Sequence, residues 1–413
     1  MSEFKRAELQ RFVWMREKSH PPVFVGRQVL LDEILTIARM TGAEGVGIPG
    51  NTTVIQGAPG SGKSSVLSEL EIRAPRAIDA RVVNIANTDL EQNIPDVTRA
   101  IAFAASRDNA QWFDIWSQSG PEWLQRLPQM KGFNIPRYES LIDLQRYRPA
   151  STWTAPVIVA VDEAQRFPEN KSAPYAQFMQ EIHDAKGVRL PLTLVLAGLG
   201  DTQSVIRSMG LTHGLRPHPL GCFDVEELDE LTGAWCAHFG ITVGTQRDRI
   251  DRLMSPTDGW PRHVHWAQQA LAEALLVPGV DGNADRITDW TTVHQRSDQL
   301  RHGYYQTQFS DVMVSSRKLV GRVMLDMANA QRDGDGLTFD QVVDVVEIYN
   351  GYEPGSAWRV PEKESKQSYV THLIYCGALQ RRSMDPSDHV LTCPIPSFQS
   401  YIIAQGGFEV PAN

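Results

Sequence analysis

Eight residues, Gly57-Ala58-Pro59-Gly60-Ser61-Gly62-Lys63-Ser64, constrain this chain more than any other part of it. They satisfy G-x-x-x-x-G-K-[ST] at every fixed position. Thr53-Val54-Ile55-Gln56 before them is a β-branched run suited to a buried strand. Ser65-Val66-Leu67-Ser68-Glu69-Leu70 after them has the spacing of an amphipathic helix. Strand, glycine-rich turn and helix start in that order point to an α/β chain. The turn converges backbone N–H groups on one spot, and the helix N-terminus adds positive partial charge there. The motif therefore predicts a phosphate cradle formed by Gly57, Pro59, Gly60, Ser61, Gly62, Lys63, Ser64 and Ser65. Lys63 would reach the β- and γ-phosphates of a nucleoside triphosphate, and the Ser64 hydroxyl would ligate Mg2+.

A chain of 413 residues exceeds one ordinary core, so two or three domains are expected. The apolar fraction of 42% and charged fraction of 22% are those of a soluble globular protein. A net charge of −9 argues against a broadly basic nucleic-acid-binding surface. Cys222, Cys236, Cys376 and Cys393 are scattered without a C-x-x-C pair, the usage of a cytoplasmic protein with reduced thiols. The first residues form no apolar targeting segment, and no stretch approaches membrane-spanning length.

A second motif completes the chemistry. Pro156-Val157-Ile158-Val159-Ala160-Val161 runs into Asp162-Glu163-Ala164-Gln165, a buried parallel strand delivering two carboxylates at its carboxyl end. Asp162 would hold Mg2+, and Glu163 would polarise the attacking water as general base. The two motifs together predict ATP hydrolysis, not binding alone. A third apolar strand, Leu192 to Gly198, follows an amphipathic segment around Tyr175 to Ala185 and leads into Leu199-Gly200-Asp201-Thr202-Gln203.

This order of motifs resembles the AAA+ ATPases, and within them the branch of origin-recognition initiators, transposon-encoded target-selection ATPases and STAND NTPases. Val23-Phe24-Val25-Gly26-Arg27-Gln28 is similar to the "VGR" box that packs against adenine, which assigns Val25, Gly26 and Arg27 to the nucleotide. Asp162-Glu163-Ala164-Gln165 is similar to the "DEAQ" form of the second motif. Asp258-Gly259-Trp260-Pro261-Arg262 is similar to the "G-x-P-R" of a lid helix, with Arg262 reaching the γ-phosphate.

The resemblance implies a P-loop three-layer parallel sheet with a helical lid and a C-terminal winged helix. It implies ATP and Mg2+ as ligands and a homo-oligomer with nucleotide at the subunit interfaces. A separate effector protein and DNA are the partners it suggests. A trans-acting arginine then belongs between the third strand and the lid, where Arg207 and Arg216 are the candidates. Sensor 1 normally places a polar residue at the tip of the third strand. Here Gly198 and Gly200 stand there, leaving Asp201 or Thr202 for the role.

The expected domains are an ATPase core over 1–220, a lid over 221–300 and a winged-helix-like domain over 301–413. An insertion near 106–151 carries Trp112, Phe113, Trp116, Trp123 and Phe133, with Trp153 just beyond it, and reads as a satellite core. His263 and His265 sit two apart on a helix, facing different sides, which favours packing over metal binding. Residues 317–413 hold nine Lys/Arg against twelve Asp/Glu. That balance favours protein contacts over phosphate contacts by Lys363, Lys366, Arg381 and Arg382.

Overall fold

The computed structural model describes residues 4–14, 20–44, 52–86, 156–166, 183, 191–200, 202–208, 210–211, 213–310, 316–332, 336–354, 356–361, 365–382 and 389–409. The aromatic insertion, Asp201, Lys363 and residues 333–335 lie outside that set. The chain forms two compact units. One comprises Arg27–Gln56 and Lys63–His218, and the other Met1–Gly26, Gly57–Gly62 and Pro219–Asn413.

The first unit is built on a five-stranded sheet. Strands β1 (Thr52–Gln56), β2 (Arg81–Ala86), β3 (Val157–Asp162), β4 (Leu192–Gly198) and β5 (Leu215–Pro219) lie in the order β2-β3-β4-β1-β5. The pairs β1–β4, β2–β3 and β3–β4 are parallel. Every residue of β1 and β4 is buried, as is β3 up to Val161, because both faces of a parallel sheet are covered. Helix α2 (Gln28–Glu44) packs on β4, and α3 (Lys63–Ile78) on β2. In this register Gln56 faces Gly198 and Ala86 faces Asp162. The ends of β1, β3 and β4 thus share one edge of the sheet, where ligands of open α/β sheets bind.

The second unit is helical. Its first core gathers α1 (Arg6–Val13), α5 (Val225–Phe239), α6 (Arg247–Met254), α7 (Pro261–Leu275) and α8 (Trp290–Gln308) around Trp235, Phe239 and Leu271. The sequence starts α5 cleanly, since Asp224 and Glu227 form a reciprocal capping box. Phe12 of α1 meets Trp235 edge-on at 5.5 Å. A second core follows, with α9 (Arg317–Arg332), β6 (Leu337–Thr338), α10 (Phe339–Tyr349), α11 (Lys366–Tyr375), β7 (Gln380–Arg381), β8 (Val390–Thr392) and α12 (Pro396–Gln405). Thr338 and Gln341 form a capping box at the start of α10, and the three strands pair antiparallel in the order β6-β8-β7. Among the described residues, no helix is long and apolar enough to cross a membrane.

The paired histidines of α7 are packing residues. His263 is 1% exposed and stacks on Trp266, while its Nδ1 lies 3.0 Å from the Ser397 hydroxyl. Tyr305 donates to the same hydroxyl at 2.9 Å. His265 meets Phe12 edge-on at 4.9 Å. Burial pushes His263 down to about 3 and His265 down to about 4, from an ordinary 6.5. Both rings therefore stay neutral in the fold at pH 5 and take up a proton on unfolding. The unfolded chain binds more protons below pH 6.5, so stability falls with acid. Each ring should cost about 2 kcal/mol at pH 5 relative to neutral pH. Urea midpoints measured from pH 7 to pH 5 should fall accordingly, and His265→Phe should flatten part of that slope.

Candidate nucleotide site

The sheet unit carries the predicted residues Lys63, Ser64, Asp162 and Glu163. Lys63 opens α3 and is 8% exposed. Burial pushes its ammonium down to about 8, against the pull of the Asp162 and Glu163 carboxylates. A buried cation of this kind gains from a polyanionic ligand. Next to it, the Ser64 hydroxyl donates to Asp162 Oδ2 at 2.8 Å. The two predicted Mg2+ ligands are thus side by side, and their oxygen set suits a hard cation.

The chain then turns sharply. Glu163 adopts a left-handed φ of 58°, and its N–H donates to Asp162 Oδ1 at 2.9 Å. Such backbone in a non-glycine residue is sparsely populated and collects at functional sites. Two residues on, Gln165 donates from Nε2 to Glu163 Oε2 at 2.7 Å. Its Oε1 accepts from Leu199 N–H at 3.0 Å, at the end of β4. Thr202 is fully buried and donates its hydroxyl to Leu199 O at 2.6 Å, opening α4 (Thr202–Ser208). With its oxygen turned to the Thr202 and Gln203 N–H groups, at 3.2 and 2.8 Å, Gln56 caps the same helix.

The helical unit carries the glycine-rich loop, residues 57–62, and the start of α7. Gly60 has a φ of 87°, and a Cβ there would lie 2.7 Å from Arg262 Cβ and 3.1 Å from Trp260 Nε1. Only glycine fits that conformation and that space. Arg262 N–H donates to Gly60 O at 3.1 Å, and its guanidinium lies 5.7 Å from the centre of the Trp266 ring. Ser61 is 1% exposed, and its hydroxyl adjoins the space where a Gly57 side chain would stand. The outer side of the loop is braced by two residues. Tyr304 donates its hydroxyl to Pro59 O at 2.8 Å, and Gly377 lies directly against the Pro59 ring. Neither carries a local sequence signal, because both contacts join segments far apart in the chain.

Of the "VGR" residues, Val25 packs on the Trp235 core and Gly26 lies against the Glu227 side chain. Arg27 directly precedes α2. Gly62 closes the loop, and Ser65 lies in the first turn of α3.

No family model matches the sequence, and no curated protein matches it. Solved structures do. A Walker-type ATPase of Pyrococcus abyssi is similar over 95% of this chain and 99% of its own, with 14% identity and a TM-score of 0.54. The chain has the P-loop AAA+ NTPase fold. More distant neighbours are the ORC1 protein of Aeropyrum pernix, solved in complex with DNA, and a RuvB variant of Thermotoga maritima. The first shares 14% identity over 96% of this chain and 97% of that one, with a TM-score of 0.43. The second shares 13% over 97% and 100%, with a TM-score of 0.45.

On this AAA+ fold the two candidate arginines differ in setting. Arg216 lies on β5 and donates to Glu33 Oε1 at 3.1 Å, and the His218 ring nitrogen stands 3.3 Å from the other oxygen. Arg207 lies in the last turn of α4, and its buried Nε meets no hydrogen-bond partner among the described residues.

Proposed function

We propose that this chain is an ATP-hydrolysing AAA+ switch that assembles through ATP at subunit interfaces and acts on DNA or a partner protein. The setting it suits is a bacterial or mobile-element system such as transposition targeting, replication initiation or anti-phage defence. The observation that carries the ATPase reading is the Ser64–Asp162 pair at 2.8 Å with Glu163 next in the chain. Bound Mg2+ would supply charge neutralisation at the phosphate oxygens. Ser64 and Asp162 would hold it. The loop Gly57 to Gly62 would orient the phosphates through its N–H groups, Lys63 would counter their charge, and Glu163 would accept the proton of the attacking water. Arg207 or Arg216 would act in trans. The ion pair of Arg216 with Glu33 is partly exposed, so breaking it costs roughly 1 kcal/mol or less.

From Arg317 on, the main elements run helix, strand, helix, helix, strand, strand, helix, which supports a winged-helix reading of residues 301–413. Lys366 of its third helix is already paired with Glu347 at 2.7 Å, which supports a protein-facing role over phosphate contact.

A second reading, a nucleotide-regulated sensor with slow hydrolysis, is favoured by two observations. The Thr202 hydroxyl is committed to Leu199 O, and Tyr304 with Gly377 ties the C-terminal region to the phosphate loop. Steady-state ATPase with and without DNA separates the two. Stimulation of about tenfold or more supports the DNA-acting switch. A rate indifferent to DNA but altered by a co-encoded protein supports the sensor.

A further inference from the structure

We propose that Gln165 is a positioning residue, fixing the general base Glu163 and tying it to the end of β4. The inference rests on the ATPase reading above. Gln165 is 3% exposed, and burying an amide is costly unless its polar ends are matched. Here the donor end holds a Glu163 carboxylate oxygen at 2.7 Å, and the acceptor end takes the Leu199 N–H at 3.0 Å. The first bond is charge-assisted, so it is the stronger of the two. A leucine or methionine would fill the same volume and make neither.

The surroundings are shaped to admit this carboxamide. A Cβ on Gly198 would lie 2.6 Å from Gln165 Oε1 and would collide with the Thr202 hydroxyl. The bare end of β4 is therefore the space that the Gln165 carboxamide occupies. Leu199 is itself held from the other side, its carbonyl accepting from Thr202. A shift of Leu199 or of Thr202 thus reaches the Glu163 carboxylate through one amide. The strained φ of Glu163 gives this link its purpose, because a residue in that conformation needs its surroundings to hold its side chain in one place.

The test is a cycle of Gln165 variants in two backgrounds. Gln165→Met removes both bonds, while Gln165→Glu keeps the volume and the Leu199 acceptor but loses the donor to Glu163. Turnover at saturating Mg-ATP, affinity for a fluorescent ATP analogue and melting temperature are measured for each. In the parent, both should lower kcat by about tenfold or more with analogue affinity changed less than about twofold. In Glu163→Gln, neither should lower the residual rate further, since no base is left to position. A merely structural role would move melting and affinity, and would lower the rate equally in both backgrounds. Equal loss in both backgrounds, or unchanged kcat in the parent, would overturn the inference while leaving the ATPase reading intact. Parent turnover that survives Glu163→Gln would overturn both.

Discussion

Glu163→Gln should yield a protein that binds ATP and holds it. The change keeps the shape of the side chain and removes the charge proposed to polarise water. Removing a general base costs about 10²- to 10⁴-fold in rate. Binding should survive, because Lys63 at the head of α3 and the N–H groups of the loop before it are untouched. The Ser64–Asp162 pair is also left in place. The fold should stand as well, since the backbone turn at Glu163 is set by the Asp162 carboxylate that accepts its N–H. Single-turnover hydrolysis and retention of radiolabelled ATP on a filter read the two effects separately. A rate within about twofold of the parent would move the base elsewhere.

Trp260→Ala should damage the helical unit severely. The indole is 0% exposed and belongs to the core formed with Tyr305, Phe309 and Phe398. Deleting a buried tryptophan costs about 3–5 kcal/mol, because the void closes only in part. The loss should also reach the phosphate loop. Trp260 Nε1 stands 3.1 Å from the space above Gly60, and the next turn of the chain holds Gly60 O through Arg262 N–H. Urea unfolding should show the stability loss, and nucleotide affinity should weaken under conditions where the variant is still folded. Native stability with native affinity would mean that the indole does not support the loop.

Much of the candidate site is legible in the sequence because its signals are local. The phosphate loop is one run of eight residues, and the strand ending at Asp162 announces itself by an apolar stretch meeting two charges. What escaped notice is what folding brings together. Gln165 was visible only as a letter of its motif, since its partner Leu199 lies in another strand's loop. The glycine at 198 read as a missing polar group; the structure shows a space filled from β3's turn. Tyr304 and Gly377 are ordinary residues until the chain places Pro59 against them. The sequence named Asp201 and Thr202 together for sensor 1. Thr202 turns out to spend its hydroxyl on starting α4, while Asp201 lies outside the described residues.

The most direct measurement is phosphate release by the purified parent chain with ATP, in Mg2+ and in EDTA. Turnover should saturate with ATP, need Mg2+ and disappear in Lys63→Ala. Release that is absent in Mg2+, or that persists undiminished in Lys63→Ala, would rule out ATP hydrolysis at this loop.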